Sequence, residues 1–187
     1  IPFVAVGKFP DDDVVQVDHD NVGACKELVT VLFAKGIQNI AYLGSNMDQM
    51  VNRCRYQGYE EAYRKGKRKL NQDLVYTDLS SRAMVEKAVE ELKNSGVECI
   101  LCQDDYICDE VVRKLARMGV RIPDQMKVAS CHYSRILENY PITITSLKFN
   151  ITELGRRSCQ VLLDMIHGKT VPDKTLLDYE IILKEST

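Results

Sequence analysis

Four side chains that could bind a small polar molecule stand in segments that follow predicted strands: Arg55, Asp104, Asp105 and His132. A guanidinium donates a fork of hydrogen bonds, a carboxylate accepts them, and a neutral imidazole does one of each. The sequence holds no Gly-x-Ser-x-Gly elbow, Walker loop, Gly-x-Gly-x-x-Gly or His-Glu-x-x-His motif, which are signatures of several catalytic and cofactor sites. We therefore predict a binding protein with no catalytic residue and no cofactor, and not an enzyme.

Each of these four side chains also has a structural interpretation. Asp104 and Asp105 begin a predicted helix, and one of them is expected to cap it by accepting a backbone N–H bond, which is worth about 1 kcal/mol. Two adjacent carboxylates cannot both cap, so the other one is the ligand candidate. Arg55 could instead be a solvated surface cation, and His132 a hydrogen-bonded core histidine. His19 is expected to be exposed.

The composition of the 187 residues excludes several classes of protein. A net charge of -2 and a pI near 6.0 argue against nucleic-acid binding by these residues themselves. The odd number of cysteines, seven, favours a reducing compartment, and we expect the protein in the cytoplasm. Cys99 and Cys102 share a predicted strand whose side chains alternate between faces, so no metal site is predicted. No apolar run approaches the roughly 20 residues that cross a bilayer, so no membrane partner is expected.

Apolar residues recur at helical spacing in some segments and form short continuous runs in others. The first predicted helix, over residues 22–35, ends before Gly36, where a left-handed cap is expected. An acidic run over residues 11–13 predicts a solvated turn. Further helices are predicted around Tyr56 and over residues 80–92, 105–118 and 152–167. Strands are predicted over residues 1–6, 14–17, 40–43, 74–76, 97–102, 126–131, 144–149 and 176–183.

Apolar strands that alternate with helices predict an α/β fold with doubly wound parallel sheets. Such sheets bind ligands beyond the carboxyl ends of their strands. Gly7, Leu79 and Tyr106 also stand beyond predicted strand ends and complete the candidate site. Gly58 lies in the same predicted helix as Arg55. Because glycine lowers helix stability by about 1 kcal/mol relative to alanine, Gly58 predicts close packing of that helix.

Nine short segments of the chain form a recognisable set, in order and at matching spacing. The segments are Ile1-Pro2-Phe3-Val4 with Gly7, Asp20-Asn21, Lys35-Gly36 with Ile40-Ala41-Tyr42-Leu43-Gly44, Arg55-x-x-Gly58-Tyr59, Asp104-Asp105, Gly119-Val120-Arg121-Ile122-Pro123, residues 143–147, Leu154-Gly155 and Ser186-Thr187. With these segments the chain resembles the effector-binding core of the lactose-repressor (LacI-type) transcription regulators, which is related in fold to the periplasmic sugar-binding proteins. The resemblance implies two lobes joined by three chain crossings, with an effector in the cleft between them.

The resemblance also implies a division of the chain into lobes. Residues 18–147 and 178–187 would form the C-terminal lobe, and residues 1–17 and 148–177 would be a remnant of the N-terminal lobe. Most of the N-terminal lobe and the DNA-binding headpiece would then be absent from this chain.

The function that the resemblance implies is that of a bacterial transcriptional regulator. It would sense a small-molecule effector, a sugar or sugar-like metabolite, form a homodimer and bind operator DNA through an N-terminal helix-turn-helix that this chain lacks. The alternative is a solute-binding protein of the same fold that serves transport.

Two candidate positions depart from the family pattern. Family members use an Arg, an Asn-Asp pair and a later Asp to hydrogen-bond the effector, which the resemblance assigns to Arg55, Asp104-Asp105 and His132. Asp104 stands in place of the Asn, and His132 in place of the later Asp. Since a neutral imidazole offers one donor and one acceptor, the effector must carry a different hydroxyl pattern or lose this contact.

Stacking surfaces for the effector differ as well. Leu79 occupies a position that is often aromatic in relatives, and the chain has no Trp. We expect Phe9, Tyr106 or Tyr133 to supply any aromatic stacking.

Overall fold

A computed structural model describes residues 1–11 and 13–187 of the chain. The predicted acidic turn includes Asp12, which lies outside the described residues. The strands are β1 Ala5–Val6, β2 Gln16–His19, β3 Ile40–Leu43, β4 Val75–Tyr76, β5 Cys99–Cys102, β6 Lys127–Ser130, β7 Thr145–Phe149, β8 Lys174–Leu177 and β9 Tyr179–Ile182. The helices are α1 Asn21–Ala34, α2 Met50–Lys65, α3 Arg82–Leu92, α4 Asp105–Arg117 and α5 Ile151–Ile166.

The larger sheet has the strand order β4-β3-β5-β6-β7-β9. Helices α1 and α2 cover one face through side chains such as Leu28 and Tyr59, and α3 and α4 cover the other through Val89 and Val111. Because both faces are covered, strands β3 and β5 are buried at every position and carry no polar face. The predicted doubly wound α/β fold is confirmed.

A second, smaller sheet has the order β1-β2-β8, and its strands are parallel. Helix α5 packs on β1 and β2. The chain passes between the two sheets three times: after His19, between Phe149 and Ile151, and at Asp178. Two of these crossings therefore place an aromatic ring, that of His19 or Phe149, at the junction between the sheets.

Helix ends follow their local sequence. The Asp20 side chain caps α1 by accepting a hydrogen bond from the Gly23 backbone N–H at 2.9 Å. Gly36 follows the same helix with a φ of 90°, which is the left-handed conformation that the sequence predicts there.

The last predicted strand, over residues 176–183, is wrong. The chain forms two strands there, β8 and β9, which belong to different sheets and are separated by Asp178. Strand β9 pairs with β7 in the antiparallel direction, so the larger sheet is not parallel throughout. Apolar residues stand on both sides of Asp178, and this local pattern does not show that the chain changes sheets there.

Gly58 sits where α2 crosses α1. A Cβ atom at this position would meet the backbone oxygen of Val22 and would lie 2.9 Å from the Cβ of Cys25. The predicted close packing at Gly58 is confirmed. This contact holds α2 directly against the beginning of α1. It thereby fixes the position of Arg55, which lies one helical turn before Gly58.

Gly58→Ala should lower the free energy of unfolding by about 1–3 kcal/mol, because the added methyl group overpacks the contact between α1 and α2. Gly155→Ala in α5 is the matched control, since a Cβ there meets nothing within 4 Å. It should be neutral or stabilising by up to about 1 kcal/mol. Urea denaturation of both variants measures the difference, and equal effects would show that the helices do not meet at Gly58.

Candidate functional site

Arg55 lies on α2 with its guanidinium at the carboxyl end of the larger sheet. Its Nη1 donates to the backbone oxygen of Gln103, the residue after β5, at 2.9 Å, and its Nε donates to Oδ1 of Asn21 at 3.3 Å. The guanidinium carbon lies 5.9 Å from the centre of the Phe149 ring. The residue is only 8% exposed. Arg55 is therefore a buried cation at a strand end and not a solvated surface residue.

No carboxylate in the described part of the chain lies within ion-pair distance of Arg55, although the chain forms many ion pairs elsewhere. Its two protein acceptors are neutral oxygens. Three of its five N–H groups thus have no acceptor within residues 1–11 and 13–187.

The two adjacent carboxylates at the start of α4 have separate roles. Asp104 caps the helix, because its Oδ1 accepts the backbone N–H of Ile107 at 2.9 Å. Asp105 is the buried member of the pair, and its Oδ1 lies 3.2 Å from Nδ1 of His132. The expected helix cap is confirmed for Asp104, and the ligand candidate Asp105 lies against His132.

His132 follows the end of β6, and its side chain contacts α4 through Asp105. Its side chain is 28% exposed and its ring stacks on Phe149, with centroids 6.3 Å apart and planes 17° apart. Burial raises the pKa of Asp105, but hydrogen bonds from Ser134 and His132 outweigh this effect, so the pKa lies below the ordinary 3.8. Asp105 is accordingly held as a carboxylate.

His19 is not exposed, contrary to the sequence expectation. It is 6% exposed, and its ring packs against the ring of Phe149, with the two centroids 4.9 Å apart. Its Nε2 is buried and has no hydrogen-bond partner within the described residues. Burial lowers the pKa of this imidazole and outweighs the opposing effects of the Asp18 charge and of a hydrogen bond with the backbone of Asn150. The alternation of β2, whose start the sequence predicts two residues too early, turns His19 inward.

The remaining candidates are scattered around this centre. Gly7 belongs to the smaller sheet, where its N–H donates to the backbone oxygen of Val17 at 2.8 Å, and its φ is 100°. Leu79 is 8% exposed and belongs to the apolar core beneath α3 and α4. Its side chain therefore packs mainly against other apolar residues, and a ligand contact at Leu79 stays a prediction. Tyr106 is 70% exposed in the first turn of α4 and is free to stack.

A cavity of about 920 Å³ lies beside Phe149 and two of the chain crossings. It shares His132 and Phe149 with the group around Arg55, whereas Arg55, Asp104 and Asp105 do not line it. The cavity is thus offset from the guanidinium toward the junction of the sheets. Its polar lining includes Tyr133, Ser134, Arg135, Lys148, Asn150, Glu153, Asp178 and Glu180.

A family model described as a periplasmic binding protein-like domain matches residues 29–187. The chain belongs to this family. The match covers most of the larger sheet and α5, and it includes Arg55, both carboxylates of α4 and His132.

The curated relatives of this periplasmic binding protein-like domain are transcriptional regulators. It is 27% identical over 192 residues to the HTH-type transcriptional regulator CelR of Thermobifida fusca and 22% identical over 190 residues to the HTH-type transcriptional repressor CytR of Escherichia coli. Both alignments cover 100% of this chain and 56% of the relative, so the chain spans about half the length of these proteins. The predicted resemblance to LacI-type regulators is confirmed.

Solved structures give the same result. The chain matches a CelR–cellobiose complex with a TM-score of 0.87 and 26% identity, over 100% of this chain and 59% of the other. A regulatory protein of the LacI family from Chloroflexus aggregans matches with a TM-score of 0.89 at 22% identity, over 99% of this chain and 68% of the other, and shows the shared fold.

Two further findings concern the classes of site that the sequence disfavours. The described residues contain no group of three or more His, Cys, Asp or Glu side chains placed to hold a metal ion. Within the same residues, no helix combines the length and apolar character that a membrane span requires.

Sequence reasoning missed the residues that hold Arg55 in place. Asn21 and Phe149 belong to the chain crossings, and Gln103 is fully buried, with its side chain bonded to the backbone N–H and the hydroxyl of Ser45 at 3.1 Å. A buried Gln after an apolar strand and an Asn directly after a capping Asp are the only signals in the sequence. Neither signal identifies its partner.

Asp105→Asn in this periplasmic binding protein-like domain should lower the free energy of unfolding by about 1–3 kcal/mol near neutral pH, because it weakens two side-chain hydrogen bonds to a buried carboxylate. A carboxylate whose folded pKa is lowered contributes stability above its unfolded pKa of 3.8 and loses it as the pH falls through the folded pKa. The difference from the wild type should therefore shrink in acid.

Denaturant titrations across this pH range measure the effect. Asp124→Asn is the control, since Asp124 is a largely exposed carboxylate with a surface ion pair, and its effect should stay within about 0.5 kcal/mol. A penalty for Asp105→Asn that is equal at neutral and acid pH would contradict the assignment.

Proposed function

We propose that this chain is the effector-binding portion of a LacI-type transcriptional regulator and that it binds a sugar or related metabolite at Arg55. The observation that carries the proposal is the buried guanidinium with unused donors at the carboxyl ends of β3 and β5. Parallel sheets bind ligands at this edge. A cation that is removed from water and left without a counter-ion indicates a polar ligand.

The proposed contacts follow from the geometry. Arg55 donates to the ligand, and His132 contributes its second ring nitrogen, because Nδ1 faces Asp105. Tyr106 offers an exposed ring at the start of α4. We propose that Asp104, Asp105 and Gly7 line the walls of the cleft next to the ligand.

The proposed signal is a change in the angle between the lobes. We assign the larger sheet to one lobe and the smaller sheet with α5 to the other. This moves the expected boundaries after residues 17 and 147 to the crossings after His19 and Phe149 and keeps the boundary at residue 178, so that the crossings act as hinges. A ligand held beside these crossings favours the lobe arrangement in which it makes the most contacts. In a homodimer, this shift would change the spacing of two helix-turn-helix headpieces on operator DNA in the cytoplasm.

The regulator is the better of two functions for this fold. A solute-binding protein that serves transport would use the same cleft. The curated relatives of the chain are HTH-type regulators, however, and one matched structure is described as a complex of such a regulator with cellobiose. These relatives support a sensor that is not an enzyme.

Thermal unfolding of the intact protein against a panel of sugars, sugar acids, sugar phosphates and nucleosides should identify at least one stabilising compound. At 100 times its Kd, a ligand adds about 2.7 kcal/mol, which raises the Tm by roughly 5–11 °C for a chain of this size.

Arg55→Gln should lower the affinity for that compound at least about tenfold, because the substitution removes the buried donors. Arg53→Gln is the matched control on the same helix, where the side chain is largely exposed, and it should keep full affinity. The proposal fails if no compound stabilises the protein, or if the Arg55 variant binds as tightly as the control variant.

A further inference from the structure

The groups around Phe149 include a guanidinium with unused donors and a buried ring nitrogen without a hydrogen-bond partner among the described residues. The Phe149 cluster comprises this ring with Arg55, His19 and His132, whose centres lie 5.9, 4.9 and 6.3 Å from the Phe149 ring centroid. Arg55 has two neutral acceptors and no carboxylate within the described residues. His19 has a buried Nε2 with no hydrogen-bond partner among the described residues. A buried polar atom without a partner marks a place where a partner is missing.

The neighbouring carboxylates do not supply that partner. Asp104 and Asp20 cap helices through backbone N–H groups, and Asp105 is engaged by His132 and Ser134. Asp18 accepts from the backbone N–H of His19 at 2.8 Å and from Asn21 at 3.5 Å. Each nearby acid therefore already stabilises a protein group, and the guanidinium keeps an uncompensated charge.

We propose that the effector carries an anionic group, a carboxylate or a phosphate, on its polyhydroxylated frame, and that Arg55 and His132 bind this group with His19 beside them. The inference rests on the proposed function and specifies the chemical class of the ligand. Arginine suits the task because its planar fork matches two oxygens of a carboxylate or phosphate. The cavity that His132 and Phe149 line leaves room for the rest of the molecule.

The test compares a neutral sugar with anionic probes. Thermal unfolding of the intact protein is compared in glucose, gluconate, glucose 6-phosphate and inorganic phosphate, against chloride at the same ionic strength. Inorganic phosphate has no stereochemistry, so its binding does not require that glucose be the correct sugar. We expect a saturable rise in Tm with phosphate and with at least one of the two charged sugars, and none of similar size with glucose.

His132→Asp tests the site without removing Arg55. The added carboxylate should lower the affinity for the charged probes at least about tenfold, because it supplies the guanidinium with a protein counter-ion and repels the ligand. His167→Asp makes the same exchange at an exposed residue after α5 and should leave the affinities unchanged. His132 is partly exposed, but the new carboxylate would face that of Asp105, so circular dichroism and thermal unfolding of the ligand-free variant verify that it folds.

The outcomes separate this inference from the proposed function. If a neutral sugar binds in an Arg55-dependent manner and the charged probes do not, the sensor stands and the anionic class is wrong. If phosphate binds equally to the wild type, His132→Asp and Arg55→Gln proteins, the effect is that of an adventitious ion only and the inference is overturned. If no probe binds the wild type, the inference is overturned as well.

Discussion

The burial of one guanidinium against the end of the larger sheet connects every part of the candidate site. Arg55 reaches from α2 to the backbone after β5 and to the first residue of α1, and its charge lies over the last residue of β7. Four segments that are distant in sequence are thereby held by one side chain. Because its protein acceptors are neutral, the interaction positions the charge without neutralising it.

The position of this charge relative to the chain crossings explains how a ligand could be sensed. His19 ends β2 and Phe149 ends β7, so both rings stand where the chain leaves one sheet for the other. His132 stacks on the same Phe149 ring while it bonds to Asp105 on α4. A ligand that engages Arg55 and His132 therefore acts on groups that touch the crossings. A rotation of one sheet against the other must change these contacts, which is the condition for coupling binding to domain movement.

Much of the fold could be predicted because its determinants are local. Continuous apolar strands such as β5, the glycine after α1 and the capping Asp104 each depend on neighbours within a few positions. The change of sheet at Asp178 has no signal in the local residue pattern, since it depends on which strands already occupy the edge of each sheet. Only the family resemblance implies a lobe boundary at this point. The candidate site divides in the same way. Arg55 and Asp105 are identifiable from residue type and position, whereas the roles of Asn21, Phe149 and His19 arise from contacts across more than 30 residues of chain.

The most direct measurement is the nitrogen–proton NMR spectrum of the arginine side chains in the intact protein during titration with the stabilising compound. The account predicts that the Nε–H resonance of Arg55, assigned through its loss in Arg55→Gln, moves saturably with the same Kd as the thermal shift, while that of Arg53 stays in place. An unchanged Arg55 resonance in the presence of a bound, stabilising compound would contradict the central claim.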